Sequence, residues 1–92
     1  MKTAALQKSA RIFKILGNVK RLEILFHIEE RELNVGQLER AVKRGQSALS
    51  QHLAILRKNG IVNTRRSAQT IFYSLSDKDT IQIIELIRKL YD

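Results

Sequence analysis

The sequence contains no cysteine and no proline, and each absence excludes a class of structure or chemistry. Without cysteine, a disulfide, a thiolate metal site and a thiol redox switch are all impossible. Without proline, and with only four glycines, the chain favours helices joined by short turns over a sandwich of many strands. A chain of 92 residues is the size of one domain, so we expect a single domain that spans residues 1–92.

Long apolar runs are missing as well. No stretch approaches the roughly 20 residues needed to cross a bilayer. Residues 1–17 carry scattered lysine and arginine instead of the apolar core of a signal peptide. We therefore expect a cytoplasmic protein with no membrane partner.

Acidic residues are absent from one long segment, residues 40–76, which carries seven lysines and arginines. The rest of the chain is nearly neutral, with ten basic against nine acidic residues, so almost all of the net charge of +8 lies in this segment. A solvated basic face is one interpretation. A polyanion partner is the other, because such a patch neutralises phosphates and releases their counterions.

Apolar residues at helical spacing predict helices over residues 4–16, 19–30, 35–42 and 46–59. Asn34 is a suitable cap for the third of these, and Gly60 ends the fourth. Two short helices across the turn at residues 43–45 predict a helix-turn-helix. The β-prone runs 61–66 and 70–75 predict a hairpin, and a last helix runs from Asp77 or Lys78 to Leu90 or Tyr91.

The fourth helix separates its residues by angle. One side is apolar apart from His52, which we expect to be packed or to bond a phosphate. The other side is small, polar and basic, with Ser47, Ser50, Gln51, Ala54 and Lys58. Short hydroxyls and amides can reach base edges in a major groove, whereas a merely polar surface is the alternative.

The last helix has an apolar arc of about 160°, wider than the roughly 100° that one core requires. A two-fold dimer in which this helix and the first pack against their mates would bury the arc. The alternative is that the last helix is buried in the core of its own chain. The residues expected at the dimer interface are Leu6, Phe13, Ile83, Ile84, Leu86, Ile87, Leu90 and Tyr91.

The run Leu-Ser-Gln-His-Leu-Ala-Ile-Leu-Arg at 49–57, then Gly-Ile-Val at 60–62, Arg65-Arg66 and Phe-Tyr-Ser-Leu at 72–75, resembles the ArsR/SmtB family of transcription regulators. Residues 46–53 and 68–70 are particularly similar to its haemolysin-activator and nodulation-repressor branches. The resemblance covers about residues 10–91. It implies a mainly α winged helix-turn-helix, five helices plus a two-stranded wing in the order ααααββα, dimerised through helices near 4–16 and 78–91.

The resemblance also implies a function, namely binding of near-palindromic operators in double-stranded DNA by a homodimer. It assigns base reading to one set of residues, Gln46, Ser47, Ser50 and Gln51. We expect backbone contacts from a second set, Gln37, Arg44, Lys58, Thr64, Arg65 and Arg66. Geometry permits these roles, because the N-terminal residues of a recognition helix face the groove floor.

The departures from the family pattern concern sensing. Metal-sensing members carry Cys-Val-Cys where this chain has residues 34–36, and zinc-binding members use histidines that its last helix lacks. Thiol-sensing members have cysteines where this chain has Phe26 and Asp92. We therefore expect no metal, no cofactor and no thiol control, and no effector site is recognisable. The turn also departs, with Lys43-Arg44-Gly45 where relatives often have Gly-Leu-Ser.

Three other functions compete with DNA binding. An enzyme would need a nucleophile, base or metal with partners, but His27 and His52 lie on different predicted helices and no nucleophile elbow is present. A winged-helix protein-interaction module would present an apolar or acidic recognition face, whereas this one is basic. RNA binding fits the charge, but the helix face lacks aromatic residues for base stacking.

Overall fold

The computed structural model describes residues 1–42 and 48–92. This part of the chain forms five helices and three strands. In chain order they are α1 (Thr3–Leu16), α2 (Val19–Glu30), β1 (Leu33–Asn34), α3 (Val35–Ala41), α4 (Leu49–Lys58), β2 (Val62–Ser67), β3 (Thr70–Leu75) and α5 (Lys78–Tyr91). The expected mainly helical winged helix-turn-helix is confirmed. The predicted turn at 43–45 and the predicted helix start at Gln46 lie outside the described residues.

Three helices begin at side-chain caps that the sequence supplies. Asn18 accepts hydrogen bonds from the backbone N–H groups of Lys20 and Arg21 at 3.0 and 3.1 Å, which starts α2. Asn34 caps α3 as predicted, and Asp77 accepts from the Thr80 N–H at 3.0 Å at the start of α5. Each cap satisfies a backbone donor that the first helical turn leaves without a partner.

The end of α4 is a Schellman turn that leads the chain into the hairpin. Gly60 has φ +73°, its N–H bonds to the Arg57 carbonyl at 3.0 Å, and the Ile61 N–H bonds to the Leu56 carbonyl at 3.0 Å. Because Leu56 and Ile61 are both buried, the turn also contributes to the core. The glycine predicted to end this helix therefore fixes the direction in which the wing leaves it.

The β-sheet has three antiparallel strands in the order β1-β3-β2. The hairpin β2–β3 is the predicted wing, with Ala68 at φ 56° in its two-residue turn. The sequence analysis did not foresee β1, whose Leu33 pairs with Tyr73 and whose Asn34 pairs with Phe72. A two-residue strand is too short for an alternating pattern to reveal it. Through β1 the wing is joined to the α2–α3 connection.

The core lies between α2, α3, α4 and the base of the sheet. Its fully buried members include Ile24, Leu25, Leu38 and Leu56. Ile84 belongs to it as well, with 0% of its surface exposed within one chain. Its assignment to a dimer interface is therefore wrong, because it has no surface left to bury against another molecule. In residues 1–42 and 48–92, no helix combines the length and the apolar character that crossing a membrane requires.

Candidate nucleic-acid interface

The α4 helix is held by one face and open on the other. Leu49, Leu53 and Leu56 are buried in the core. The described members of the predicted outward face are all exposed, namely Ser50, Gln51, Ala54 and Lys58. A hydrogen-bonding face on a rigidly packed helix is what insertion into a major groove requires. Gln46, Ser47 and Arg44, which were predicted to contact DNA, lie outside the described residues.

An open cleft of about 440 Å³ runs beside the exposed face of α4. It lies between α4, the start of α3 and strand β3, and its lining residues are Val35, Ser50, Leu53, Ala54, Arg57, Lys58 and Tyr73. The structure thus brings Ser50 and Lys58 together, and it adds Arg57 and Tyr73, which the sequence analysis did not select. Two cations and two hydroxyls around a shallow cleft suit a phosphate chain.

Gln37 was expected to contact the DNA backbone, but its side chain takes part in a capping box. Its Oε1 accepts from the Asn34 N–H at 2.9 Å, while Asn34 Oδ1 accepts from the Gln37 N–H at 2.8 Å. The carbonyl oxygen of Gln37 thus stabilises the start of α3. Only the N–H groups of its side-chain amide remain free to bond a phosphate. The main role of Gln37 is therefore to stabilise the start of α3.

The two wing arginines lie on opposite faces of the hairpin. Arg65 pairs with Phe72 and Arg66 with Ile71 in the β2–β3 register, and side chains alternate between faces along a strand. The Nε of Arg65 donates to both carboxylate oxygens of Glu32 at 2.8 Å, and its Nη2 forms an ion pair with Oε1. This hydrogen bond lowers the pKa of Glu32. Arg66 is exposed.

Arg21 connects α4 to the end of α1. Its Nε donates to the Ile15 carbonyl at 2.6 Å, and its Nη1 lies 3.3 Å from Nδ1 of His52. A guanidinium only donates hydrogen bonds, so Nδ1 accepts and the ring is neutral with its proton on Nε2. Burial, then the charges of Arg21 and Lys20, lower the pKa of His52 below its ordinary 6.5. His52 is thus a packing residue, as its place on the helix suggested.

This arrangement predicts a pH dependence of stability. Because the pKa of His52 is lowered in the folded protein, the unfolded chain takes up its proton first as the pH falls through 6.5. The contribution of neutral His52 is therefore complete above that pH and is lost below it. His52→Gln keeps an acceptor for Arg21 but does not titrate. We expect the stability advantage of the native protein over His52→Gln to shrink between about pH 7.5 and about pH 5.

Urea unfolding at each pH measures this difference. The two proteins differ only at position 52, so the comparison isolates the contribution of His52. A difference in the free energy of unfolding that does not change with pH would show that burial and the nearby charges of Arg21 and Lys20 do not keep His52 neutral.

Helices α1 and α5 expose a large part of their apolar surface. Phe13 is 70% exposed and Leu90 is 61% exposed, and Leu6, Leu86 and Tyr91 are exposed as well. Ile83 and Ile87 are half-buried. With Ile84 removed, seven of the eight expected interface residues retain surface that a partner could cover. Exposed apolar groups of this size indicate an interaction site.

Within residues 1–42 and 48–92, no three histidine, aspartate or glutamate side chains lie close enough together to hold a metal ion. The arrangement consists of a hydrogen-bonding helix face, a basic cleft and a cationic wing. It is an arrangement for binding an extended anion.

Comparison with known proteins agrees with this geometry. The pattern of the bacterial regulatory protein family arsR matches residues 18–64, from the cap of α2 into β2. Transcriptional activator HlyU of Vibrio cholerae is 48% identical over 84 residues, which are 91% of this chain and 78% of HlyU. The chain belongs to the ArsR family. It is accordingly a DNA-binding transcription regulator, in a family of regulators and not of enzymes.

Other relatives support the same placement of this ArsR-family chain. Nodulation protein NolR of Rhizobium meliloti is 42% identical over 83 residues, 90% of this chain and 68% of NolR. The structure of HlyU from Vibrio cholerae has a TM-score of 0.89 at 45% identity, covering 99% of this chain and 98% of that one. The structure of the transcriptional repressor BigR from Xylella fastidiosa has a TM-score of 0.84 at 33% identity, and the match covers 100% of this chain and 98% of BigR. The resemblance to the haemolysin-activator and nodulation-repressor branches is therefore confirmed.

Sequence analysis missed Glu32, Arg57, Tyr73 and Arg21. Strand alternation could have shown that Arg65 and Arg66 face opposite ways. Nothing local pointed to Glu32, which lies 33 positions from its partner Arg65. Arg57 and Tyr73 become neighbours only when the wing folds back beside α4.

Proposed function

We propose that this ArsR-family regulator binds near-palindromic operators as a homodimer of single-domain chains in the cytoplasm, without catalysis and without a metal or thiol sensor. The observation that carries the proposal is the exposed face of α4. Ser50 and Gln51 stand on a helix whose opposite face is buried, so base-reading groups project from a rigid element. Gln46 and Ser47 belong to the proposed reading set by their sequence positions.

Affinity in this proposal comes from the charge around that face. Residues 40–76 contain no acidic side chain, so Arg57, Lys58 and Arg66 meet no carboxylate from their own segment. Lysine and arginine contacts to phosphate orient a protein on the duplex without reading sequence. Two further residues complete the proposed contacts to the DNA backbone. They are Thr64, which is half-buried on β2, and Gln37, through the N–H groups of its side-chain amide.

The dimer in this proposal forms through the exposed apolar faces of α1 and α5. Two-fold pairing would cover Leu6 and Phe13 on one helix and Leu86 and Leu90 on the other. Covering such surface is favourable at about 25 cal/mol per Å². Because the two subunits are related by a two-fold axis, each α4 helix reads its own half-site, and the two half-sites carry the same sequence in opposite orientations.

Selection of bound duplexes from a random DNA pool tests the proposal. We expect a near-palindromic consensus with half-sites about 34–36 Å apart, one helical turn of DNA. A single-stranded RNA pool of equal length is the matched control, and no consensus should emerge from it. Failure to enrich any duplex sequence, or a clear RNA consensus, would contradict the proposal.

A further inference from the structure

We propose that the two adjacent wing arginines have different functions: Arg66 contacts the DNA backbone, whereas Arg65 fixes the wing to the body of the protein through Glu32 and makes no phosphate contact. The inference rests on the proposed operator binding. It goes beyond that proposal because it divides a pair that sequence reasoning treated as equivalent.

The register of the hairpin places Arg66 on the DNA-binding side. Arg66 pairs with Ile71, and Thr64, two residues earlier, pairs with Tyr73. Residues two apart share a face of the strand, and paired residues of antiparallel strands share it too. Tyr73 lines the cleft beside the exposed face of α4. Arg66 therefore projects from the same side of the sheet as that cleft.

Arg65 projects from the other side, where its guanidinium is already engaged. It lies over the ring of Phe72, with 4.6 Å from Cζ to the ring centroid. Beyond that ring it meets the carboxylate of Glu32, with two Nε contacts of 2.8 Å and an ion pair through Nη2. Since the strand order is β1-β3-β2 and Glu32 directly precedes β1, this contact spans the whole sheet above β3.

This geometry makes the pair an anchor for the wing. Forked contacts between a guanidinium and a carboxylate fix orientation as well as distance, and a cation over an aromatic ring adds to the attraction. Glu32 also cancels the charge of Arg65 locally, so a phosphate approaching Arg65 would meet the carboxylate too. Counterion release counts the cations that neutralise phosphates, and Arg65 is already neutralised.

The salt dependence of DNA binding separates the two arginines. The logarithm of the binding constant falls linearly with the logarithm of the salt concentration. We expect Arg66→Gln to make this slope shallower by about 0.9 per subunit, the value for one lost phosphate contact. Arg65→Gln should leave the slope unchanged and weaken binding only a few-fold, because it loosens the wing. Titrations of each variant and of the unsubstituted protein on the selected duplex at several salt concentrations measure both. An equal loss of slope in the two variants would overturn the proposal.

A charge swap tests the anchor directly. Arg65→Glu should weaken binding strongly, and combining it with Glu32→Arg should restore most of the affinity because the ion pair re-forms in reverse. The matched control combines Arg65→Glu with Glu30→Arg, which gives the same net charge from an exposed position two residues away. Restoration by the control as well, or no restoration by the swap, would overturn the proposal.

Hydrogen exchange without DNA keeps the test independent of the proposed function. The backbone N–H groups of β2 and β3 should exchange faster in Glu32→Gln and Arg65→Gln, should recover in the swapped protein, and should be unaffected by Arg66→Gln. If no duplex sequence is selected but exchange follows this pattern, the proposed operator binding fails and the anchor stands. Unchanged exchange in Glu32→Gln and Arg65→Gln would remove the anchor.

Discussion

Replacing Leu90 by glutamate is expected to convert the proposed dimer into monomers and to reduce operator affinity at least about 100-fold, since a monomer offers one recognition helix instead of two. Leu90 is 61% exposed within one chain, so the change leaves no cavity in the protomer core. In the dimer, however, it would place an unpaired charge in an apolar contact, which is costly.

Sedimentation equilibrium at micromolar concentration and titration of the selected duplex measure this result. Glu85→Gln is the matched control, because Glu85 is exposed on another side of the same helix and the change also alters one charge. The control should remain dimeric and bind normally. A Leu90→Glu protein that stays dimeric would show that α5 does not form the interface.

The second large effect is expected from Gln51→Ala, which should abolish much of the sequence preference while leaving general DNA affinity intact. A glutamine amide can pair with adenine through two hydrogen bonds, and such a pair discriminates by about 1–3 kcal/mol. A dimer uses the residue twice, so the loss on the selected duplex should be at least about 30-fold. Gln51 is exposed, so its removal does not disturb the core.

Binding of Gln51→Ala to random-sequence DNA should change less than about threefold, because phosphate contacts dominate that affinity. Gln7→Ala serves as the matched control, since it removes the same side chain from an exposed position on α1. It should bind both duplexes like the native protein. Equal losses for Gln51→Ala on the selected and random duplexes would show that α4 does not read bases.

The parts of the fold that depend on local chemistry could be predicted from the sequence. Asn34 caps α3, Gly60 ends α4 with a positive φ, and Asp77 caps α5, each within reach of its own helix turn. These devices act over three or four residues, so the sequence alone displays them. The exposed and buried faces of α4 followed from its 100° periodicity in the same way.

The parts that depend on distant contacts could not be predicted. Arg21 and His52 are 31 positions apart, and Arg65 and Glu32 are 33 apart, so no local pattern joins them. The apolar arc of α5 is too wide for one core to bury, and Leu86, Leu90 and Tyr91 remain exposed in one chain. Which of its residues turn inward depends on how the helix packs on α2, and that packing places Ile84 in the core.

The most direct measurement of the central claim compares the affinity of the native protein for the selected duplex with its affinity for a scrambled duplex of the same composition. Both titrations are run at one physiological salt concentration, because the phosphate contribution varies steeply with salt. The account predicts a preference of at least about 1,000-fold for the selected duplex, as specific regulators show. A preference below about tenfold would mean that the basic surface binds DNA without reading it, and it would contradict the account.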